Sequence, residues 1–121
     1  MSVAGSPAEA TRDAGIVLTC LPGPAEVAAV MDGADGVLGA ARKDTLVIET
    51  STIGPGQSRE LSQRFAAKGV AYLDAPFSGG AEGARDGTLT IMVGGSPEAF
   101  QKALPLFQAY GKNVRHVGGT G

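Results

Sequence analysis

Three apolar runs of strand length set the frame for this chain: GIVLTCL at residues 15–21, TLVIE at 45–49 and VAYLD at 70–74. None alternates polar with apolar residues. A continuous short run is the pattern of a strand covered on both faces, as in a parallel sheet. Helix signals fill the gaps between them. Pro24 suits a first helical position, and Val27, Val30 and Met31 then share one face. GVLGAARK predicts a further helical turn closed by cations. PGQSRELSQRFAAKG predicts a helix with Leu61 and Phe65 stacked at i, i+4 and Gly69 as its stop. Strands alternating with helices imply an α/β fold with a largely parallel sheet and flanking helices.

The second half continues the pattern. Thr88 to Val93 reads as a strand. Ser96 and Pro97 read as the cap and first residue of a helix with Phe100, Leu104 and Phe107 as its apolar stripe. Pro105 cannot donate to the carbonyl four residues back, which predicts a kink or a restart. NVRHV reads as a closing strand. Only thirteen residues join Asp74 to Thr88, near the lower limit for a parallel crossover, so the spacing allows one antiparallel strand.

Composition narrows the function classes. A net charge of −2 without a basic cluster gives no footprint for nucleic acid or an anionic membrane. The start lacks a basic and apolar leader, and no apolar run reaches membrane length, so a soluble, cytoplasmic domain is expected. Cys20 is alone and reads as a small core residue; with one Cys and one His, a zinc centre is not expected. Glycine is about twice as frequent as its usual ~7%. It has no Gly-X-Y period and falls between apolar runs, as turns and close approaches do.

In sheets of this kind ligands sit beyond the carboxyl ends of the strands. LPGP, ETSTIGPG and DAPFSGG occupy those ends. The G-x-G-x-x-G search finds only Gly54-Pro55-Gly56, with Arg59 in place of the third glycine, and reads as a helix start. Ser51 and Thr52 suit capping of the following helix, which is compatible with ligand contact. Glu49 occupies a ribose-acid-like place without the fingerprint such an acid needs. His116 reads as a packed or surface residue, and Ser78 lacks the elbow of a hydrolase serine. SGGAEG is either a tight turn or, through its hydroxyl and successive N–H groups, a concave cradle for a carboxylate or single phosphate.

Together IVLTCLPGPAEV, TLVIETSTIGPGQSRELS, GVAYLDAPFSGGAEGARDGTLTIMVGG and GKNVRHVG resemble the β-hydroxyacid dehydrogenase family, in family order over nearly the whole chain. The resemblance implies a doubly wound, Rossmann-like NAD(P)-binding domain of the 6-phosphogluconate dehydrogenase type over residues 1–121, and oxidation of a small 3-hydroxy acid or reduction of its semialdehyde. It implies that Leu21 and Pro22 line NAD or NADP, that Thr52 contacts the nicotinamide side, and that Ser78, Gly79 and Gly80 hold the substrate carboxylate. Glu26 stands where relatives often carry an asparagine.

Family members begin with a βα unit carrying G-x-G-x-x-G. They end with a lysine-bearing helix and an all-helical domain that completes the site and a homo-oligomer. By that comparison the chain is expected to be a partial domain, with the catalytic lysine beyond Gly121 and none of Lys43, Lys68, Lys102 and Lys112 in its place. An uncovered edge at residues 16–21 is expected too. A truncated inactive fragment, or a weak nucleotide- or carboxylate-binding module, are the alternatives.

Overall fold

A computed structural model describes residues 2–120. Strands β1 (Ile16–Thr19), β2 (Leu46–Glu49) and β3 (Ala71–Asp74) run parallel, with Leu18, Ile48 and Leu73 in register. Beyond them come β4 (Phe77–Ser78), β5 (Leu89–Gly94) and β6 (Gly111–Gly118). β5 is antiparallel to β3 and β4, and β6 is parallel to β5. The pairs Asp74–Gly94, Phe77–Ile91 and Ser78–Thr90 share one unbroken register, so β4 prolongs β3 along the same edge of β5. The short connection after Asp74 therefore does reverse the chain, and the reversal carries β6 with it.

Alternation along the central strands divides two cores. Leu46, Ile48 and Leu73 face α6 (Pro97–Tyr110), whose Phe100, Ala103 and Phe107 are buried against them. Val47 and Tyr72 face the other way, toward α2 (Pro24–Met31), α3 (Val37–Ala40) and α4 (Pro55–Ala66). There Val27, Met31, Leu61 and Phe65 are buried, as the helical spacing predicts. Gly69 ends α4 region with φ +72°, and the Ser96 hydroxyl caps α6 by accepting from Ala99 N–H. The doubly wound α/β fold read from the sequence is the fold observed.

Three local expectations need correction. Cys20 is exposed rather than packed in the core, because β1 is the sheet's open edge; Ile16 and Leu18 stand 40% and 44% exposed there. The reading of residues 15–21 as covered on both faces fails for the same reason, while the expected uncovered edge is present. Of the kink or restart expected at Pro105, the restart does not occur: α6 runs through the proline. A proline inside a helix costs about 3 kcal/mol. Burying Phe100 and Phe107 on either side of it returns roughly 2–3 kcal/mol each, and only a continuous helix presents both rings to the sheet.

One helix has no counterpart in the sequence reading. α1 (Pro7–Arg12) is capped by Ser6, whose hydroxyl accepts from Glu9 N–H, while the Glu9 carboxylate accepts from Gly5 N–H. The serine and the glutamate three residues later have capping-box spacing, but Glu9 reaches Gly5 N–H, one residue before the cap, rather than Ser6 N–H. α5 (Gly80–Asp86) is short and ends on Gly87 in the left-handed region.

Candidate functional site

The parallel strands β1, β2 and β3 deliver their carboxyl ends to one side of the sheet, where the polar and glycine-rich segments follow. The first two ends are tied by side chains. Glu49 is fully buried; its Oε2 accepts from the Thr19 hydroxyl at 2.6 Å and its Oε1 from Ser51 N–H at 2.8 Å. Ser51 Oγ in turn accepts from Leu21 N–H at 2.8 Å. The Thr50 hydroxyl and N–H both donate to Thr19 carbonyl oxygen, at 2.5 and 2.9 Å. These bonds leave Leu21 half-buried beside the loop carrying Thr52, with Pro22 and Thr52 exposed.

That arrangement changes the capping reading and agrees with the rejection of Glu49 as a ribose acid. Neither Ser51 nor Thr52 caps α4, whose N-cap is Gly54 without a side-chain bond; the Ser51 hydroxyl is committed to Leu21 instead. Glu49 is not a ribose-facing acid, since both carboxyl oxygens point into the protein. An acid closing an otherwise apolar strand was the signal for this network, and its partners two residues away, or on another strand, were not visible in spacing.

Ser78, Gly79 and Gly80 lie on the surface at the end of β4 and the start of α5. Gly79 has φ +131° and Gly80 φ +65°, values that favour glycine. A Cβ on Gly79 would also meet Leu89 Cδ2 at 3.0 Å, whereas one on Gly80 would meet nothing within 4 Å. No side chain caps this helix start, so the N–H groups of its first turn are left for other partners. Glu82 places a negative charge in the same turn.

An apolar recess of about 220 Å³ lies among these segments, lined by Leu18, Cys20, Thr50, Phe77, Leu89 and Tyr110, among others. It takes residues from the ends of β1, β2 and β4 but none of the six predicted contact residues. Leu21 lines a second recess of about 310 Å³ along the β1 edge, with Pro7 and Val30. The first is below, and the second barely above, the ~300 Å³ at which small-molecule pockets begin, so each suits one ring or side group of a larger ligand.

Titratable groups nearby are structural. Burial drives the Tyr72 phenol far above its ordinary range; the Ser58 hydrogen bond works against this, and Glu49 and Asp74 add to it. Burial raises Tyr110 to about 12, with Cys20 adding to the rise. Lys68 Nζ donates to Leu38 carbonyl oxygen, on the α3 side. His116 Nε2 bonds Gly95 O at 2.7 Å and its ring stacks on Phe100, a packed surface residue as read from the sequence. No group of three or more metal-ligating side chains occurs among the described residues, and no described helix is long and apolar enough to cross a membrane.

A parallel α/β sheet with candidate contact residues gathered at its strand ends defines a Rossmann-like domain. The family described as the NAD binding domain of 6-phosphogluconate dehydrogenase matches residues 1–118, and this chain belongs to it. The chain is 44% identical over 120 residues to an NAD-dependent L-serine dehydrogenase of Pseudomonas aeruginosa, covering 99% of itself and 40% of that protein. It superposes on the Mycobacterium tuberculosis 3-hydroxyisobutyrate dehydrogenase solved with L-serine at TM-score 0.88 and 36% identity, covering 96% of itself and 39% of that chain. On Psf3 in complex with NADP+ and 2-OPP the TM-score is 0.91 at 33% identity, covering 95% and 41%. It spans 35% and 40% of the length of two curated relatives it matches, a 2-(hydroxymethyl)glutarate dehydrogenase of Eubacterium barkeri and the L-serine enzyme. The resemblance to β-hydroxyacid dehydrogenases holds.

Proposed function

We propose that this chain forms the nicotinamide-side and acid-holding part of an NAD(P)-dependent dehydrogenase acting on small 3-hydroxy acids. Leu21 and Pro22 line the cofactor, Thr52 contacts its nicotinamide side, and Ser78, Gly79 and Gly80 hold the substrate carboxylate. The observation that carries the reading is the Leu21 N–H to Ser51 Oγ bond, which keeps the loops after β1 and β2 side by side where such folds bind ligands.

The substrate class follows from chemistry that two relatives share. L-serine and 3-hydroxyisobutyrate each carry a primary alcohol on the carbon next to the one bearing the carboxylate. Holding the carboxylate at the Ser78 turn leaves the alcohol carbon as the reactive end. The residues fit a dinucleotide's nicotinamide end: Thr52 offers an exposed hydroxyl, and Leu21 and Pro22 offer apolar surface beside it. Held there, NAD+ or NADP+ would supply a hydride acceptor for the alcohol carbon; with the hydroxyl proton released to solvent, the products would be the semialdehyde and reduced cofactor. The chain's part is positioning, which is where much of the rate of a two-substrate reaction originates. Lys43, Lys68, Lys102 and Lys112 are not assigned the proton.

The test is calorimetric titration of the purified chain with L-serine and 3-hydroxyisobutyrate, each beside its methyl ester, in the presence of NAD+ and of NADP+. Binding is expected for the free acids and far less for the esters. Equal affinity for the esters, or no binding of either acid with either cofactor, would contradict the proposal.

A further inference from the structure

We infer that Glu49 is a positioning residue: it locks the ends of β1 and β2 together so that Leu21 and Thr52 meet the cofactor in one fixed geometry. The inference rests on the cofactor reading of those two residues and adds a part to it that neither the family resemblance nor the exposed surface assigns.

The argument starts from where the acid lies. Leu46, Val47 and Ile48 fill the rest of β2 and are all fully buried. An apolar fourth residue would extend that packing, and replacing a buried polar set as a whole, acid and partners together, by well-packed apolar residues is often neutral or stabilising. A buried carboxyl group here is thus poorly explained by stability alone. What it does supply is two acceptors at fixed positions. Oε2 reaches across to Thr19 on the neighbouring strand, and Oε1 reaches forward to Ser51 N–H. With Ser51 N–H anchored, the Ser51 hydroxyl is held where it accepts from Leu21 N–H. Leu21 is two residues past Thr19, so the bonds close a ring joining both strand ends. Thr52 leaves that ring by one peptide bond. No solvent competes for the two carboxyl oxygens, so each bond is retained without exchange with water.

Glu49→Met keeps the length of the side chain and its packing but removes both acceptor oxygens that the ring needs. Amide hydrogen exchange in the uniformly 15N-labelled chain reads the ring directly, with no ligand present. Exchange at Leu21 and Ser51 is expected to quicken about tenfold, the loss of one buried hydrogen bond. Met92 N–H, bonded to Pro76 O beside the Ser78 turn, serves as the distant reference and should keep its rate. The dissociation constants for NAD+ and NADP+ should rise by about the same factor, while that for 3-hydroxyisobutyrate stays level.

Unchanged exchange at Leu21 and Ser51 would overturn the inference, and so would an equal rise at Met92, which marks general loosening. Ser51→Ala keeps Glu49 and removes only the acceptor of Leu21 N–H. It should quicken Leu21 and weaken cofactor binding, and full cofactor affinity in that variant would also contradict the inference. The proposed function fails separately: if NAD+ and NADP+ leave Leu21 and Thr52 of the unaltered chain undisturbed, the cofactor reading falls, and the exchange data alone then decide whether Glu49 holds these loops.

Discussion

The two walls of the candidate site are built by different means. At the ends of β1 and β2 the backbone is held by a closed set of side-chain hydrogen bonds centred on a buried acid. At the Ser78–Gly80 turn almost no side chain takes part: two glycines with positive φ shape the bend, and the antiparallel register of β4 against β5 holds its base. The first wall depends on functional groups that a conservative substitution can remove. The second depends on the absence of side chains, so adding a single methyl group harms it. Both deliver exposed residues at the same side of the sheet, one through interior chemistry and the other through backbone geometry.

The largest way to break this contrast is at the acid. Glu49→Ala strips acceptors from two buried donors, Thr19 Oγ1 and Ser51 N–H, and is expected to cost about 3 kcal/mol in urea unfolding. A loss below half of that would mean that water enters and replaces the carboxyl group. Next comes Gly79→Ala, which forces a methyl group into the left-handed region and against Leu89. About 2 kcal/mol is expected, with Gly80→Ala costing about half as much because its surroundings are open. Equal losses at the two glycines would show that φ alone matters at this turn. Ser78→Ala should be smallest, within ~0.5 kcal/mol, since the hydroxyl is exposed. Its effect belongs to binding of the acid.

Two tyrosines sharpen the comparison through pH. Tyr72 lies near Glu49, and Tyr110 lines the recess below Phe77. Both phenols have folded pKa values raised above the unfolded value of 10.0. In that case the unfolded chain gives up protons first as the solution becomes alkaline. The stability contribution is therefore complete below pH 10.0 and is lost as pH rises through about 12, where Tyr110 titrates, with Tyr72 following. Absorbance of tyrosinate should rise in that order. Ionisation of either phenol near pH 10.0 in the folded chain would contradict its burial.

Much of this architecture was legible because it rests on local patterns. Val27 and Met31, Leu61 and Phe65, and Phe100 and Phe107 repeat at helical spacing, and the apolar runs name the central strands. The open β1 edge was legible only in part: a run such as GIVLTCL reports what a strand is made of, not which neighbours it has, so Cys20 was misjudged. A restart at Pro105 did not occur because a local rule met a larger packing term. At the site, the strand-end loops were legible as glycine and proline clusters. The Glu49 ring was not, since Thr19 and Glu49 are thirty residues apart and meet only once β1 and β2 pair. The antiparallel turn of β5 was foreshadowed by the shortness of the connection after Asp74.

The central claim is that these two walls serve one reaction, the first meeting cofactor and the second meeting acid. Backbone amide shifts of the 15N-labelled chain, followed first with NAD+ or NADP+ and then with 3-hydroxyisobutyrate, test it most directly. The cofactor should move Leu21 and Thr52, and the acid should move Ser78, Gly79 and Gly80. Shifts from both ligands confined to one wall, or lying away from the strand ends altogether, would contradict the account.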